Sequence, residues 1–271
     1  RDSEINILED FFNLDTSELI KNKYGSADVI LAANVICHIP NIVELANSIK
    51  NLLKKTGVFI FEEPYLGDVV RKISYDQIYD EHVFLFSGLS IQHLFNIVGM
   101  ELIDLIPQET HGGSMRYVLA NKGEYKINPS VEKILSLELD QGLDQYETFK
   151  IFNQNVINSK DDLLKLLTSL KEEGKQVIGY AATSKSTTIL NYCGIKKDLI
   201  SHIYDTTPIK IGKLSPGSHI PIRDYKHFMK DGHKHAVLFA WNHAEEIKKK
   251  EELFIANGGK WIVFVPKVEI I

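Results

Sequence analysis

The sequence predicts an α/β protein: a Rossmann-like sheet, then a helical stretch, then a second and smaller Rossmann-like unit. Three observations predict this. Strand and helix patterns alternate from Ala27 to Ala120, strand signals vanish between Asn128 and Glu173, and the alternation restarts at Gln176.

The elements follow in order. Ala27 to Ala33 (ADVILAA) is a continuous apolar run, the pattern of a strand buried on both faces of a parallel sheet. Ile39 to Lys54 carries Ile42, Val43, Leu45, Ala46, Ile49, Leu52 and Leu53 at helical spacing. Gly57 reads as the stop of that helix, and Val58 to Phe61 as the next strand. Ser87 to Gly99 is a further helix, and Met100 to Ile106 with Met115 to Ala120 an antiparallel pair. In the helical middle, Leu163, Leu166, Leu167 and Leu170 form a buried stripe. Gln176 to Tyr180, Ser201 to Asp205, Ala236 to Ala240 and Trp261 to Val265 are the later strands, with a helix from His243 to Asn257. The domain boundary is expected at Lys122-Gly123, giving domains 1–122 and 123–271.

Composition excludes several classes. The chain has 271 residues, 44% hydrophobic and 25% charged, with a net charge of −5, so no basic footprint for nucleic acid exists. No apolar run reaches the ~20 residues of a membrane span. Two distant cysteines, Cys37 and Cys193, show no metal spacing and imply free thiols in a reducing cytoplasm. The composition carries no signal for oligomeric state, and a monomer is the working expectation. The chain opens at Arg1 and reaches the strand-like run Ile5-Asn6-Ile7-Leu8 at once, so a piece of a longer protein is expected.

The residues that could carry chemistry gather at strand ends. Tyr79-Asp80-Glu81-His82 sets a phenol, a carboxylate and an imidazole together before an apolar run. Imidazole takes a proton near neutral pH, and a neighbouring carboxylate can orient it; the alternative is a decorated loop. Asn34 follows a strand and His38 lies four residues on, one helical turn away, where an α/β sheet holds its ligand; both residues could equally be caps. Glu62 and Glu63 end the next strand, as site residues or helix-start acids. His111-Gly112-Gly113-Ser114 is a glycine-rich turn with Arg116 beyond it, suited to an anion or simply to a hairpin. Ala181 to Ser186, with Ser184 and Lys185, is a strand-to-helix turn suited to a phosphate, although it is neither a G-x-G-x-x-G fingerprint nor a Walker loop.

Together these pieces resemble the S-adenosylmethionine-dependent sugar C-methyltransferases, which methylate a carbon of a nucleotide-linked deoxy-ketosugar. The resemblance rests on Asn34-x-x-x-His38-Ile39, Glu62-x-Pro64-Tyr65-Leu66, Ile78 to His82 with Phe86-Ser87, and His111-Gly112-Gly113-Ser114-x-Arg116. It continues through Gly179, Asn191 to Gly194, Pro216 to Pro221 and Trp241-Asn242. It implies a methyltransferase whose sheet is present here in its C-terminal part, and the many Ile, Lys and Asn residues suit an AT-rich bacterial source. The family's N-terminal zinc module and its glycine-rich cofactor loop would precede Arg1, so zinc is expected only in that absent module and none in this chain. Asp10, Phe11, Ala32, Ala33 and Asn34 would remain of the S-adenosylmethionine pocket. Tyr180-Ala181-Ala182-Thr183 departs from the more glycine-rich turn usual in the family.

The resemblance also implies a reaction. His82, aided by Glu81, removes a proton α to the ketone; Tyr79, Asn34 and His38 hold the sugar or the enolate oxygen; the enolate attacks the sulfonium methyl without a metal. His111, Gly112, Gly113, Ser114, Arg116, Ser184 and Lys185 would hold the nucleotide sugar, the one expected small-molecule partner. Alternatives are an O- or N-methyltransferase on this scaffold and a noncatalytic nucleotide-sugar-binding fragment. A nicotinamide dehydrogenase lacks its dinucleotide fingerprint.

Overall fold

The computed structural model describes residues 5–271. In chain order the elements are α1 (Leu14–Tyr24), β1 (Ala27–Ala33), α2 (Ile42–Leu52), β2 (Leu53–Pro64), α3 (Leu66–Lys72), α4 (Gly88–Ile97), β3 (Met100–Gln108), β4 (Ser114–Asn121), α5 (Pro129–Asp140) and α6 (Tyr146–Glu172). They continue as β5 (Val177–Tyr180), α7 (Ser184–Tyr192), β6 (Ile203–Asp205), β7 (Ile222–Asp224), β8 (His235–Leu238), α8 (Ala244–Lys250), α9 (Glu252–Ala256), β9 (Lys260–Val263) and β10 (Glu269–Ile270). They form two compact units. One comprises residues 1–65, 83–108 and 114–144; the other comprises residues 66–82, 109–113 and 145–271. The first unit thus reaches past Lys122-Gly123 to take in α5, and the second takes in two segments from the first half of the chain.

The first unit holds a four-stranded sheet in the order β1-β2-β4-β3. β1 pairs with β2 in parallel, and β4 runs antiparallel to both β2 and β3. Phe59, Phe61, Phe95 and Tyr117 are fully buried at its centre; the Phe61 and Tyr117 rings stack 4.6 Å apart. The expected antiparallel closing pair is present.

Four local expectations are corrected. β1 is not buried on both faces, because among the described residues it lies at the sheet edge, with Leu31 72% exposed. Ile5, Ile7 and Leu8 form no strand and are exposed. Helix α2 begins at Ile42, not Ile39, because the residue before Pro40 is held extended (Ile39 φ −96°, ψ 109°). Gly57 does not stop that helix. It lies inside β2, where the register against β1 slips between Ala27 and Val29 and a Cβ would meet the Ala27 carbonyl at 2.8 Å.

The second unit holds a six-stranded sheet in the order β10-β9-β8-β5-β6-β7, all parallel except β10. Sequence order reverses between β5 and β8, which defines the crevice at their carboxyl ends as the topological switch point of a doubly wound sheet. Leu163, Leu167 and Leu170 of α6 are buried in its core as expected, while Leu166 is partly buried. The expected helix His243–Asn257 is broken at Glu251. Its buried carboxylate accepts hydrogen bonds from the Tyr180 and Tyr225 hydroxyls at 2.8 and 2.5 Å, and this fixes the backbone between α8 and α9.

A buried carboxylate also organises the first unit. Glu138 of α5 is fully buried; it accepts the Tyr65 hydroxyl (2.9 Å) and the backbone N–H groups of Gly88 (2.7 Å) and Leu89 (2.8 Å) at the start of α4. Those N–H groups have no partner within their own helix. Glu138→Ala strands three donors and should lower the unfolding free energy by roughly 2–4 kcal/mol, with Glu138→Gln losing less. Urea unfolding monitored by circular dichroism checks this; a stability equal to that of the parent chain contradicts the role.

Candidate active site

The five residues expected at the chemistry fall in different units. Asn34 and His38 belong to the first, Tyr79, Glu81 and His82 to the second.

In the first unit β1 ends at Ala32-Ala33, and Asn34 follows in the left-handed region (φ 52°), its N–H donating to the Glu62 carbonyl at 2.9 Å. Asparagine tolerates that conformation better than a branched residue would. His38 ends a 3₁₀ turn, Ile36–His38, so the expected placement of both residues on one helical face does not hold. Glu63 holds the turn. Fully buried, its Oε1 accepts the N–H groups of Val35 (2.9 Å), Ile36 (2.6 Å) and Cys37 (3.3 Å). Burial pushes the Cys37 thiol far above its ordinary value, and the Glu63 carboxylate adds to this, so Cys37 is an inert core thiol.

Glu62 sits opposite Arg116 in the β2–β4 register and pairs with it at 3.0 Å, so the guanidinium offered to an anion already has a carboxylate partner. Ser114 is buried at the start of β4. Asp10 accepts the Phe11 N–H at 2.8 Å, and the Phe11 ring is 89% exposed.

In the second unit His82 is held by the chain beside it. Its Nδ1 lies 2.8 Å from the Gln77 carbonyl, its N–H donates to the Tyr79 carbonyl at 2.8 Å, and the Tyr79 ring lies 4.0 Å from the imidazole. A carbonyl can only accept, so in the neutral ring Nδ1 carries the hydrogen and Nε2 carries the lone pair. Glu81 is exposed. The Gln77 carbonyl, a backbone group with no sequence signature, is an orienting acceptor that sequence reasoning did not name.

The His111-Gly112-Gly113 turn belongs to the same unit. All three residues have positive φ (55°, 85° and 132°). A Cβ on Gly112 would stand 2.2 Å from the Trp241 ring, and one on Gly113 would stand 1.9 Å from the Asp68 carboxylate. The paired glycines therefore serve close packing within the protein, and the Gly112 carbonyl accepts from Lys72.

Trp241, just beyond β8, and Lys185, at the start of α7, lie at the switch point. The Lys185 Nζ is 5.1 Å from the Trp241 ring and donates to the His111 carbonyl at 3.4 Å. Ser184 opens α7 and is exposed; Thr183 caps that helix, its hydroxyl accepting the Ser186 N–H at 3.0 Å. Ala181 before it adopts φ 72°.

Asp76, absent from the sequence-based candidates, completes the cluster. It is fully buried, with Oδ2 accepting the Trp241 indole N–H at 2.6 Å and Oδ1 lacking any partner. Burial raises its pKa to about 6, against the opposing pull of the Lys185 charge and the indole hydrogen bond. Burial likewise lowers the Lys185 ammonium, and Asp76 opposes that shift. A lone acid in a polar run carries no burial signal in a sequence, which is why it was missed.

Comparison with known proteins follows from this geometry. The two sheets define a Rossmann-like α/β protein. Residues 109–266 match the model of the C-methyltransferase C-terminal domain, and residues 3–105 match that of a methyltransferase domain. The chain belongs to the C-methyltransferase family that these domains define. It is 31% identical over 261 residues to the C-methyltransferase NovU of Streptomyces niveus; the match takes in 96% of this chain and 62% of that protein's length. A solved SAM-dependent methyltransferase from Anabaena variabilis is 17% identical, with a TM-score of 0.34 over 43% of this chain and 58% of that one. No helix among the described residues is long and apolar enough to cross a membrane.

The perturbed Asp76 gives a stability prediction. Its folded-state pKa of about 6 lies above the ordinary 3.8, so between those values the folded chain keeps a proton that the unfolded chain has lost. Its contribution is most favourable below about pH 4 and is lost as the pH rises through 6, a change on the order of 3 kcal/mol. Asp76→Asn keeps an acceptor for Trp241 and removes the titration. Unfolding free energies measured from pH 4 to 7 should fall more steeply in the parent chain than in the variant; parallel curves contradict the assignment.

Proposed function

We propose that this chain forms the deprotonating and substrate-holding part of an S-adenosylmethionine-dependent C-methyltransferase acting beside the ketone of a nucleotide-linked deoxy-ketosugar. The observation that carries the reading is the 31% identity to a protein named a C-methyltransferase along nearly all of this chain. That name specifies carbon as the acceptor, and a carbon acceptor requires a base.

His82 meets that requirement in this reading. The Gln77 carbonyl fixes the hydrogen on Nδ1 and leaves Nε2 basic, and the Tyr79 ring against the imidazole limits its rotation. A proton α to a ketone is removed at Nε2, and the ring then holds it with both nitrogens protonated. Tyr79, Asn34 and His38 are assigned to the sugar or to the developing enolate oxygen, where hydrogen-bond donors are worth most, and Glu81 to the support of the imidazole. Lys185, Ser184 and the 111–114 turn are assigned to the nucleotide part, with Arg116 beyond them.

For the methyl donor, the residues present suit an adenosyl group: an open aromatic face at Phe11, a carboxylate at Asp10, and small side chains at Ala32 and Ala33 leading into the turned backbone of Asn34. When bound, the donor supplies an electrophilic methyl on a sulfonium.

Deuterium exchange tests the reading. With a nucleotide ketosugar and an unreactive sulfonium analogue in deuterium oxide, the full-length protein should wash label into the carbon next to the ketone. His82→Gln should slow that exchange by about 10²–10⁴ while leaving sugar binding within a few-fold. Methyl transfer without any exchange would assign the enzyme to an oxygen or nitrogen acceptor instead. Sugar binding with neither exchange nor transfer would reduce it to a binding protein.

A further inference from the structure

The second unit carries another cluster that the proposed chemistry does not use. His202 immediately precedes β6, while Asp231 and His233 lie in the loop before β8. These are the amino ends of parallel strands, the edge opposite to that where such sheets hold substrates. One ligand-capable atom from each of the three side chains lies within 4.8 Å of the others.

Two imidazoles there have an unanswered nitrogen. His202 is 2% exposed; its Nδ1 is 3.0 Å from the Ser201 hydroxyl, and its Nε2 is buried without a partner. His233 Nε2 is buried without a partner as well, and the two ring centres are 4.9 Å apart. A buried unsatisfied ring nitrogen costs on the order of 1–3 kcal/mol. Two of them converging beside a carboxylate is an arrangement that a shared electrophile would resolve.

We propose that His202 and His233, through Nε2, and Asp231, through its carboxylate, bind a divalent transition-metal ion of the zinc class. Two imidazoles and a carboxylate form a borderline donor set that suits such an ion and does not suit magnesium or calcium. Three protein ligands leave one position for water. The Ser201 hydroxyl accepting from Nδ1–H supplies the outer contact that fixes a ligating histidine's tautomer.

Two neighbours weigh against the ion and must yield. Asp231 Oδ2 already accepts the Tyr204 hydroxyl and lies 3.6 Å from an Arg223 guanidinium nitrogen. That leaves Oδ1 to ligate, and half-exposed Arg223 is free to swing toward solvent. The ligand atoms must also close toward the ~3.4 Å separations of a tetrahedral site with bonds near 2.1 Å. Asp231 is exposed and His233 lies between two exposed residues, so closure falls to the loop and not to the core. The site would pin that loop to β6 and so act on stability.

The test uses this 271-residue chain, stripped with EDTA, and zinc chloride as the probe. After gel filtration, elemental analysis should find one zinc per chain, and saturating zinc should raise the melting temperature by roughly 5 °C or more. His233→Ala and Asp231→Asn, both on the loop, should fold by circular dichroism yet lose the bound zinc and at least three-quarters of the shift. Zinc retained in full by both variants, or none bound by the parent chain at ten-micromolar metal, overturns the proposal; the second outcome would leave the two rings bridged by water only. If both variants fail to fold, long-range nitrogen–proton spectra of the parent chain decide, because zinc must shift Nε2 of His202 and not its Nδ1.

Discussion

Charge inside this protein is tolerated only where backbone or hydroxyl donors surround it, and that constraint sets the geometry of both units. An ionised carboxylate removed from water must recover its lost hydration from fixed donors. Glu63 recovers it from three consecutive N–H groups, Glu138 from the first turn of α4 and the Tyr65 hydroxyl, and Glu251 from two tyrosines. Asp205 takes the Ala182 and Thr207 N–H groups, both at 2.7 Å. Each donor set lies at a place where helical or strand pairing has just ended. The carboxylates thus fix the loops that carry Asn34, His38, Ala181 and Lys185, and apolar packing alone could not, because a loop backbone has polar groups to satisfy.

Glu63 leaves its Oε2 unanswered as well, and Asp76, beside Trp241 and Lys185, is the most sparsely served of the set. It has one donor, Trp241, and one unanswered oxygen, and it relies on Lys185 for the rest. Asp205 makes a useful contrast. It stands at the end of the second parallel strand, where a dinucleotide fold would place its ribose-binding acid. Here both of its oxygens are engaged by the chain's own backbone, which argues against a nicotinamide reading of this sheet on structural grounds.

The sequence revealed architecture better than it revealed sites. Apolar patterning is dictated by burial, so β1, β2, β3, β4, β5, β6, β8 and β9 could be read from the order of apolar residues. Where one residue decides, reading failed. Pro40 moved the start of α2, a register slip drew Gly57 into β2, and Glu251 broke a helix whose pattern looked continuous. β7, three residues long, is too short to leave a periodic trace. Tyr79 and His82 stood out in the sequence because reactive side chains do, and the structure brings their rings together. The Gln77 carbonyl, the burial of Asp76 and the His202–His233 approach were not legible, since each depends on tertiary contact or on main-chain atoms that every residue shares.

Lys185 and Asp76 connect the crevice to ligand charge through a single equilibrium. The ammonium lies close enough to lower the buried acid's pKa, and the acid in return raises that of the ammonium. A phosphate drawn to Lys185 in the proposed role would compete with Asp76 for the same charge. The buried carboxylate would then lose its electrostatic partner inside a low-dielectric pocket, where it can respond only by taking up a proton. In that role, anion binding at Lys185 and proton uptake at Asp76 would be linked in both directions by the same coupling, beside an indole that bonds Asp76, lies 5.1 Å from the Lys185 Nζ and packs against Gly112.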